Sequence, residues 1–330
     1  MPEYAVAGLW DGRYRGPCRL TSGPGPFVHA RPGRRAETPW TVLPGLVDRH
    51  VHLGLVEHQD LAGSAVVEVH DLGWAPAAVL ALRADPPEGV TVKVAGPFLT
   101  APGGYPSGRP WAPPGSVRPI ASAAEADQAI EEARAAAYDL VKIVLHTGLP
   151  LLDDALLTRL VAAAHDAGLP VAVHAEGPGQ AARAVDAGAD VLAHVPWTER
   201  LDDDLLHRAR PMVWLSTLAI HHGAGRVRAV DNLRRFRAAG GTVRYGTDLG
   251  NGPTPVGPNA AEILALGAAG LDGDDLLTAL TGTTAGDGLP ADRLLTSPHP
   301  LPVTAAEAVA WVTDCRRLSF ANREEHHDRS

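Results

Sequence analysis

Six side chains able to hold a cation recur at the ends of apolar runs. His50 and His52 stand two apart in VLPGLVDRHVHL (42–53), and Lys142 lies in DLVKIVLH (139–146). His174 falls in LPVAVHA (169–175), His194 in DVLAHV (190–195), and Asp248 closes TVRYGTD (242–248). Residues two apart on a strand share a face, so both members of the His-x-His pair point the same way. Imidazole and carboxylate together make the nitrogen/oxygen donor set of zinc or a similar divalent ion. A lone histidine at a strand end is ordinarily a satisfied polar residue. Four of them with an aspartate, all on strand ends, read as a metal site. His29, His58, His165, His207, His299, His326 and His327 fall in helices, loops or termini and receive no role.

The elements that must position these side chains show in the rhythm of the chain. Further apolar runs, AVVEVHDLG (65–73), TVKVAGPFL (91–99) and PMVWLST (211–217), bring the count to eight. Helix-like stretches separate most of them, among them 122–137, 152–168 and 227–241. Near-continuous apolar strands alternating with helices signal parallel strands buried on both faces. Eight such units predict an α/β fold, a (β/α)8 TIM barrel, whose usual size is about 250 residues. Active sites of such barrels sit at the C-terminal strand ends. That is where the six side chains converge.

The two ends of the chain read differently. Residues 1–43 place Gly/Pro turns between short alternating runs, as an antiparallel β unit would. EAVAWVTDCRRLSF (307–320) reads as strand–turn–strand, turning near Thr313. The predicted organisation is an N-terminal β segment (1–43), the barrel (44–286), a C-terminal β segment (287–320) and a polar tail (321–330). The two β segments together would form a small β-sandwich subdomain. Loops at the barrel mouth offer Trp74, Tyr105, Arg109, Trp111, Trp197, His221, His222 and Asn259 as pocket residues. Glu176 is placed to contact substrate, and His146 is a supporting donor beyond Lys142.

These residues carry a resemblance. LPGLVDRHVHLG resembles the strand-1 signature of the amidohydrolase superfamily of metal-dependent hydrolases. HDLGW (70–74), GPFLTAPGGY (96–105), VKI (141–143), VHAEG (173–177), LAHV (192–195) and YGTDLG (245–250) follow in the family's order. The pattern is most similar to the imidazolonepropionase-like and prolidase-like branch, and it covers roughly residues 40–290. The resemblance implies two divalent ions, zinc foremost, with manganese, cobalt and iron compatible. It assigns His50, His52 and Asp248 to one ion and His174 and His194 to the other. Lys142, carboxylated by carbon dioxide, would bridge them. A metal-bridging hydroxide would then attack an amide, cyclic amide or related C–N bond other than a peptide bond. Asp248 would shuttle the proton to the leaving nitrogen. Lactone, ester or phosphoester hydrolysis by the same hydroxide and mononuclear deamination are the alternatives; a catalytically silent binding barrel is the remote one. Tyr105 departs from the histidine this branch often has. Glu176 stands two residues after His174, where deaminases of the superfamily place their acid three after.

Composition excludes other classes. Twenty-nine basic against 38 acidic residues give a net charge of −9 with no basic stripe, which argues against nucleic-acid binding. No run approaches 18 uninterrupted apolar residues, and the N-terminus lacks a signal-peptide pattern, so neither a membrane partner nor export is expected. The expected address is the cytoplasm, and the expected partner is a small-molecule substrate. The short ends are compatible with a homo-oligomer. Cys18 and Cys315 make neither a disulfide framework nor a CxxC site. No phosphate-cradling loop, dinucleotide fingerprint, GxSxG or HExxH is present. The chain has 27 arginines but only two lysines, Lys93 and Lys142, a skew that reads as GC-rich coding. Arginine cannot form a carbamate because it stays protonated. The resemblance therefore gives Lys142 a reason to remain lysine and gives Lys93 none.

Overall fold

The computed structural model describes residues 3–22, 25–33 and 36–320. The polar tail assigned to 321–330, with His326 and His327, lies outside the described residues. Eight parallel strands follow one another around a ring in chain order. Leu46–Val51 pairs with Val66–Asp71, which pairs with Thr91–Val94. After a break at 95–97 the third strand resumes as Phe98–Thr100 and pairs with Val141–His146. Then follow Val171–Glu176, Val191–Leu192, Val213–Leu215 and Thr242–Arg244. Closure comes where the eighth strand runs on beside the first. Arg49 N–H donates to Tyr245 O (3.1 Å), Asp248 N–H to His50 O (2.8 Å) and His52 N–H to Leu249 O (2.8 Å). The chain is thus a TIM barrel.

The strands are rich in Val, Ile and Leu because both faces are covered. Val66, Val69, Ile143, Leu145, Val171 and Val173 are all fully buried. Helices wrap the outside, and several start on a residue suited to the task. Ser122, Asp153, Asp202 and Asn259 each accept the backbone N–H three residues on, satisfying an orphan donor of the first turn. One buried side chain fastens the ring. Asp48 accepts from Thr247 Oγ1–H (2.6 Å), Thr247 N–H (3.0 Å) and His50 N–H (3.1 Å), tying the first strand to the eighth. Asp48→Ala leaves these donors buried and unpaired. It is expected to cost about 3 kcal/mol or more, seen as a lower midpoint in urea unfolding. An unchanged midpoint would remove Asp48 from the closure.

The chain ends build two further sheets. Glu3–Val6, Cys18–Ser22 and Val28–Pro32 are antiparallel. Gly8–Leu9, Thr41–Pro44, Leu294–Ser297 and Arg316–Arg317 form the second sheet. Val6, Leu9, Leu20, Val42, Leu294 and Leu318 belong to one apolar core, so N- and C-terminal segments make a β-sandwich.

Two readings of the sequence need correction. The run 42–53 is not one strand, because Thr41–Pro44 belongs to the sandwich and Leu46–Val51 to the barrel. Gly45 is the joint, and a Cβ there would fall 2.3 Å from Val67 Cγ1. The stretch 307–320 is mostly helix, Ala305–Thr313, ending in the short strand Arg316–Arg317. A capping box starts it: Thr304 accepts from Glu307 N–H while Glu307 reaches back to Thr304 N–H. Ala305, Ala308, Trp311 and Val312 then bury one helical face.

Lys93 gains an account here. Its Nζ lies 3.1 Å from Glu68 Oε1, which also meets His70 Nε2 at 2.8 Å, while Arg293 reaches Glu68 Oε2 at 2.6 Å. Burial opposes the Glu68 charge, but the His70 and Arg293 hydrogen bonds and the Lys93 charge hold its pKa below the ordinary range. Arg293 comes from the C-terminal segment, so the cluster joins the sandwich to the barrel.

Candidate active site

The barrel mouth holds a cavity of about 370 Å3. His50, His52, Lys142, His174, His194 and Asp248 all line it, having come from five different strands. Ring nitrogens of His50 and His52 and a carboxylate oxygen of Asp248 lie within 4.8 Å of one another. His50 Nε2 is 3.0 Å and His52 Nε2 3.3 Å from Asp248 Oδ1. The His194 ring centre is 4.5 Å from that of His50 and 4.9 Å from that of His174.

Outer contacts aim three of the imidazoles. His50 Nδ1 sits 2.7 Å from Ala193 O, His52 Nδ1 3.0 Å from Gly73 O, and His194 Nδ1 2.9 Å from Thr217 Oγ1. A carbonyl can only accept, so Nδ1 of His50 and His52 carries the proton and Nε2 is left as a lone-pair donor. His50 Nε2 is fully buried without an aligned hydrogen bond. An orphaned nitrogen beside a carboxylate and further imidazoles fits a divalent cation. His174 is turned differently, with Nε2 3.2 Å from Glu176 Oε2.

Electrostatics agree with that fit. Burial, reinforced by the Lys142 charge, pushes His50 down to about 4, and burial likewise lowers His174 and His194. Burial alone would raise Asp248, but the imidazoles packed against it, His50 and His194 foremost, hold it well below the carboxylate range. Lys142 is lowered by burial to about 7, against the pull of Asp248 and Asp71. Backbone strain collects here too: Thr217 and Asp248 have φ of +40° and +56°, a region non-glycine residues seldom enter.

One stability consequence follows for the metal-free chain. Histidines near 6.5 when unfolded and lowered when folded bind more protons in the unfolded state between those values. Their contribution is complete above pH 6.5 and is lost as the pH falls toward 4. Asp48, raised by burial to about 7, works in the opposite direction over the same window, so the histidine effect reads as a difference: chelator-treated wild type should lose more Tm from pH 7 to 4 than chelator-treated His50→Asn. Equal losses would contradict it.

The weaker candidates separate into two groups. Tyr105, Trp111, Glu176 and His221 line the cavity, as does Trp197. Arg109, His222 and Asn259 do not. The Arg109 guanidinium lies over the Tyr105 ring at 5.4 Å, His222 precedes the helix Gly223–Ala238, and Asn259 caps the helix Ala260–Ala268 through Glu262 N–H. His146 stands behind the lining, 3.5 Å from Glu176 Oε1, with its ring stacked at 5.0 Å on Tyr105. Trp74 is buried and stacks on Trp111.

Several contributors escape sequence reasoning. Asn251 donates Nδ2–H to Asp248 Oδ2 at 2.8 Å, steadying the carboxylate from the loop that follows it. Asp71, at the end of the second strand, accepts from Leu53 N–H (2.8 Å) and Gly73 N–H (3.1 Å), fixing the loop after His52. Phe98 forms part of the wall because the third strand breaks before it. Only Asp71 left a signal, as a carboxylate at a strand end like Asp248.

Among the described residues no helix is long and apolar enough to cross a membrane. No family model and no curated protein sequence matches the chain. Solved structures do. A Xaa-Pro dipeptidase with methionine bound in its active site superposes with a TM-score of 0.77 at 17% identity, covering 95% of this chain and 97% of that one. A bottromycin amidohydrolase gives 0.67 at 19% identity over 90% and 81%, and a phenylurea hydrolase B gives 0.69 at 15% over 91% and 92%. The chain shares the fold of these amidohydrolase-type barrels.

Proposed function

We propose that the chain is a metal-dependent hydrolase of the amidohydrolase superfamily that cleaves an amide or related C–N bond of a small molecule. The observation that carries this reading is the convergence of four imidazoles, a buried lysine and an ionised aspartate on one cavity floor. The shared fold with a dipeptidase, an amidohydrolase and a phenylurea hydrolase supports it. His50, His52 and Asp248 would hold one divalent ion; His174 and His194 would hold a second once His174 leaves Glu176; Lys142 would serve both. Bound ions supply acidified water and polarise the scissile carbonyl.

The remaining chemistry belongs to the chain. A Lys142 pKa of about 7 leaves much of its amine neutral at physiological pH. That form adds to carbon dioxide, forming a nitrogen–carbon bond and releasing one proton, to give an anionic carbamate suited to two cations. Asp248 is ionised and held at Oδ2 by Asn251. Its other oxygen takes a proton from water and returns it to the leaving nitrogen, general base and then general acid. Phe98, Trp111 and Trp197 restrict water at the mouth.

A hydrolysis screen tests the reading. Zinc-, manganese- or cobalt-loaded protein would be offered N-acyl amino acids, dipeptides, cyclic ureides, lactones and amino-heterocycles, with acid and ammonia release read separately. Chelator-sensitive acid and amine release from an amide is expected. Turnover confined to lactones, or ammonia from heterocycles alone, would overturn C–N hydrolysis in favour of ester hydrolysis or deamination. No turnover with any metal would overturn the enzymatic reading.

A further inference from the structure

Reading the site as a hydrolase pocket leaves the substrate's character open, and the following rests on that reading. Charged groups on the cavity lining are Glu176, Asp248 and Lys142. Lys142 is 2% exposed and sits at the floor, beneath the space a substrate's outer parts would fill. Among the described residues no arginine lines the cavity, and the guanidinium of Arg109 lies over the Tyr105 ring. A substrate carboxylate inside the cavity therefore meets no guanidinium and no exposed ammonium of the described lining residues.

A positive group meets the opposite situation. The Glu176 carboxylate lines the cavity, with Oε2 3.2 Å from His174 Nε2 and Oε1 3.5 Å from His146 Nε2. Its side chain keeps 31% exposure, so one edge is open to an incoming group. Aromatic rings surround the same space. Tyr105 lies 6.1 Å from Trp111 and 5.7 Å from His174, while Trp197 closes the other side at 5.8 Å from His174. Tyr105 already carries Arg109 and Trp197 stacks on His221 at 4.5 Å, so of these three rings Trp111 is the one left to face an ammonium, a contact worth about 0.5–2 kcal/mol depending on desolvation. Carboxylate and ring thus favour the same charge.

We infer that the site selects substrates bearing a cationic amino group, seated against Glu176 between the aromatic walls, and that Glu176 determines this specificity. A substrate of this class is an amino-acyl amide or another amide that carries an aliphatic amine.

Binding decides the matter without turnover. Phenethylamine and 2-phenylethanol have nearly the same shape and differ in charge, and their affinities for the protein as purified can be compared by titration calorimetry. The amine should bind about tenfold tighter or more, a difference of about 1.4 kcal/mol. In Glu176→Gln the preference should fall to threefold or less while alcohol affinity holds. Equal binding by the wild type overturns the inference, as does a preference that survives in Glu176→Gln, or an amine too weak to measure at millimolar concentration. Should Glu176→Gln misfold by circular dichroism, Glu176→Asp shortens the reach and is expected to reduce the preference; an undiminished one counts against it. Failure here leaves the hydrolysis screen untouched, and failure of the screen leaves this titration intact.

Discussion

Lys142→Met is expected to reduce turnover by roughly 10^3-fold or more and to lower metal content from about two ions per chain to one or fewer. Methionine fills a similar volume, so the barrel should persist. Its stability in the metal-free state should even rise. A lysine lowered from 10.5 to about 7 by folding costs stability that grows as pH falls from 10.5 to 7 and is constant below. Removing the amine removes that cost, so Tm of chelated Lys142→Met should exceed that of chelated wild type at pH 7. Lys142→Arg retains a charge in the same buried place and cannot form a carbamate, so it should lose activity and also stability. Full turnover by either variant would mean that Lys142 has no part in the chemistry.

Asp248→Asn separates proton transfer from architecture. The asparagine keeps the size of the group, and the backbone bond from residue 248 N–H to His50 O does not depend on the side chain. Part of the metal should remain, because four imidazoles still face the cavity. Turnover should nevertheless fall by roughly 10^2–10^4-fold, the range for loss of a positioned general base. Comparable rates in Asp248→Asn and wild type would move the proton shuttle to another residue. Glu176, 3.2 Å from His174, would then be the nearest carboxylate to examine.

The parts of the site that were legible in the sequence share one property. His50, Lys142 and His174 sit on strands, and His52, His194 and Asp248 follow within four residues of a strand's last residue, so the apolar runs mark their places and topology brings them together. Where position depends on local chemistry, reading fails. Asn259 resembled a pocket residue, yet an asparagine ahead of AAEIL is also a helix cap, and the cap is its role here. Trp311 and Val312 suggested a strand, while the Thr304–Glu307 capping box had already specified a helix. Lys93 and Arg293 come from distant segments, and their meeting at Glu68 depends on how the sandwich sits against the barrel. Phe98 and Asn251 are placed by a strand break and a loop, neither of which has a periodicity to read.

Metal stoichiometry tests the central claim most directly. Protein expressed with zinc, manganese or cobalt and passed through a desalting column would be analysed by inductively coupled plasma mass spectrometry beside His50→Asn and His194→Asn. Close to two divalent ions per wild-type chain are expected, falling to one or fewer in each variant while circular dichroism stays native. A folded wild-type chain that retains no divalent ion under any of these conditions would contradict the account.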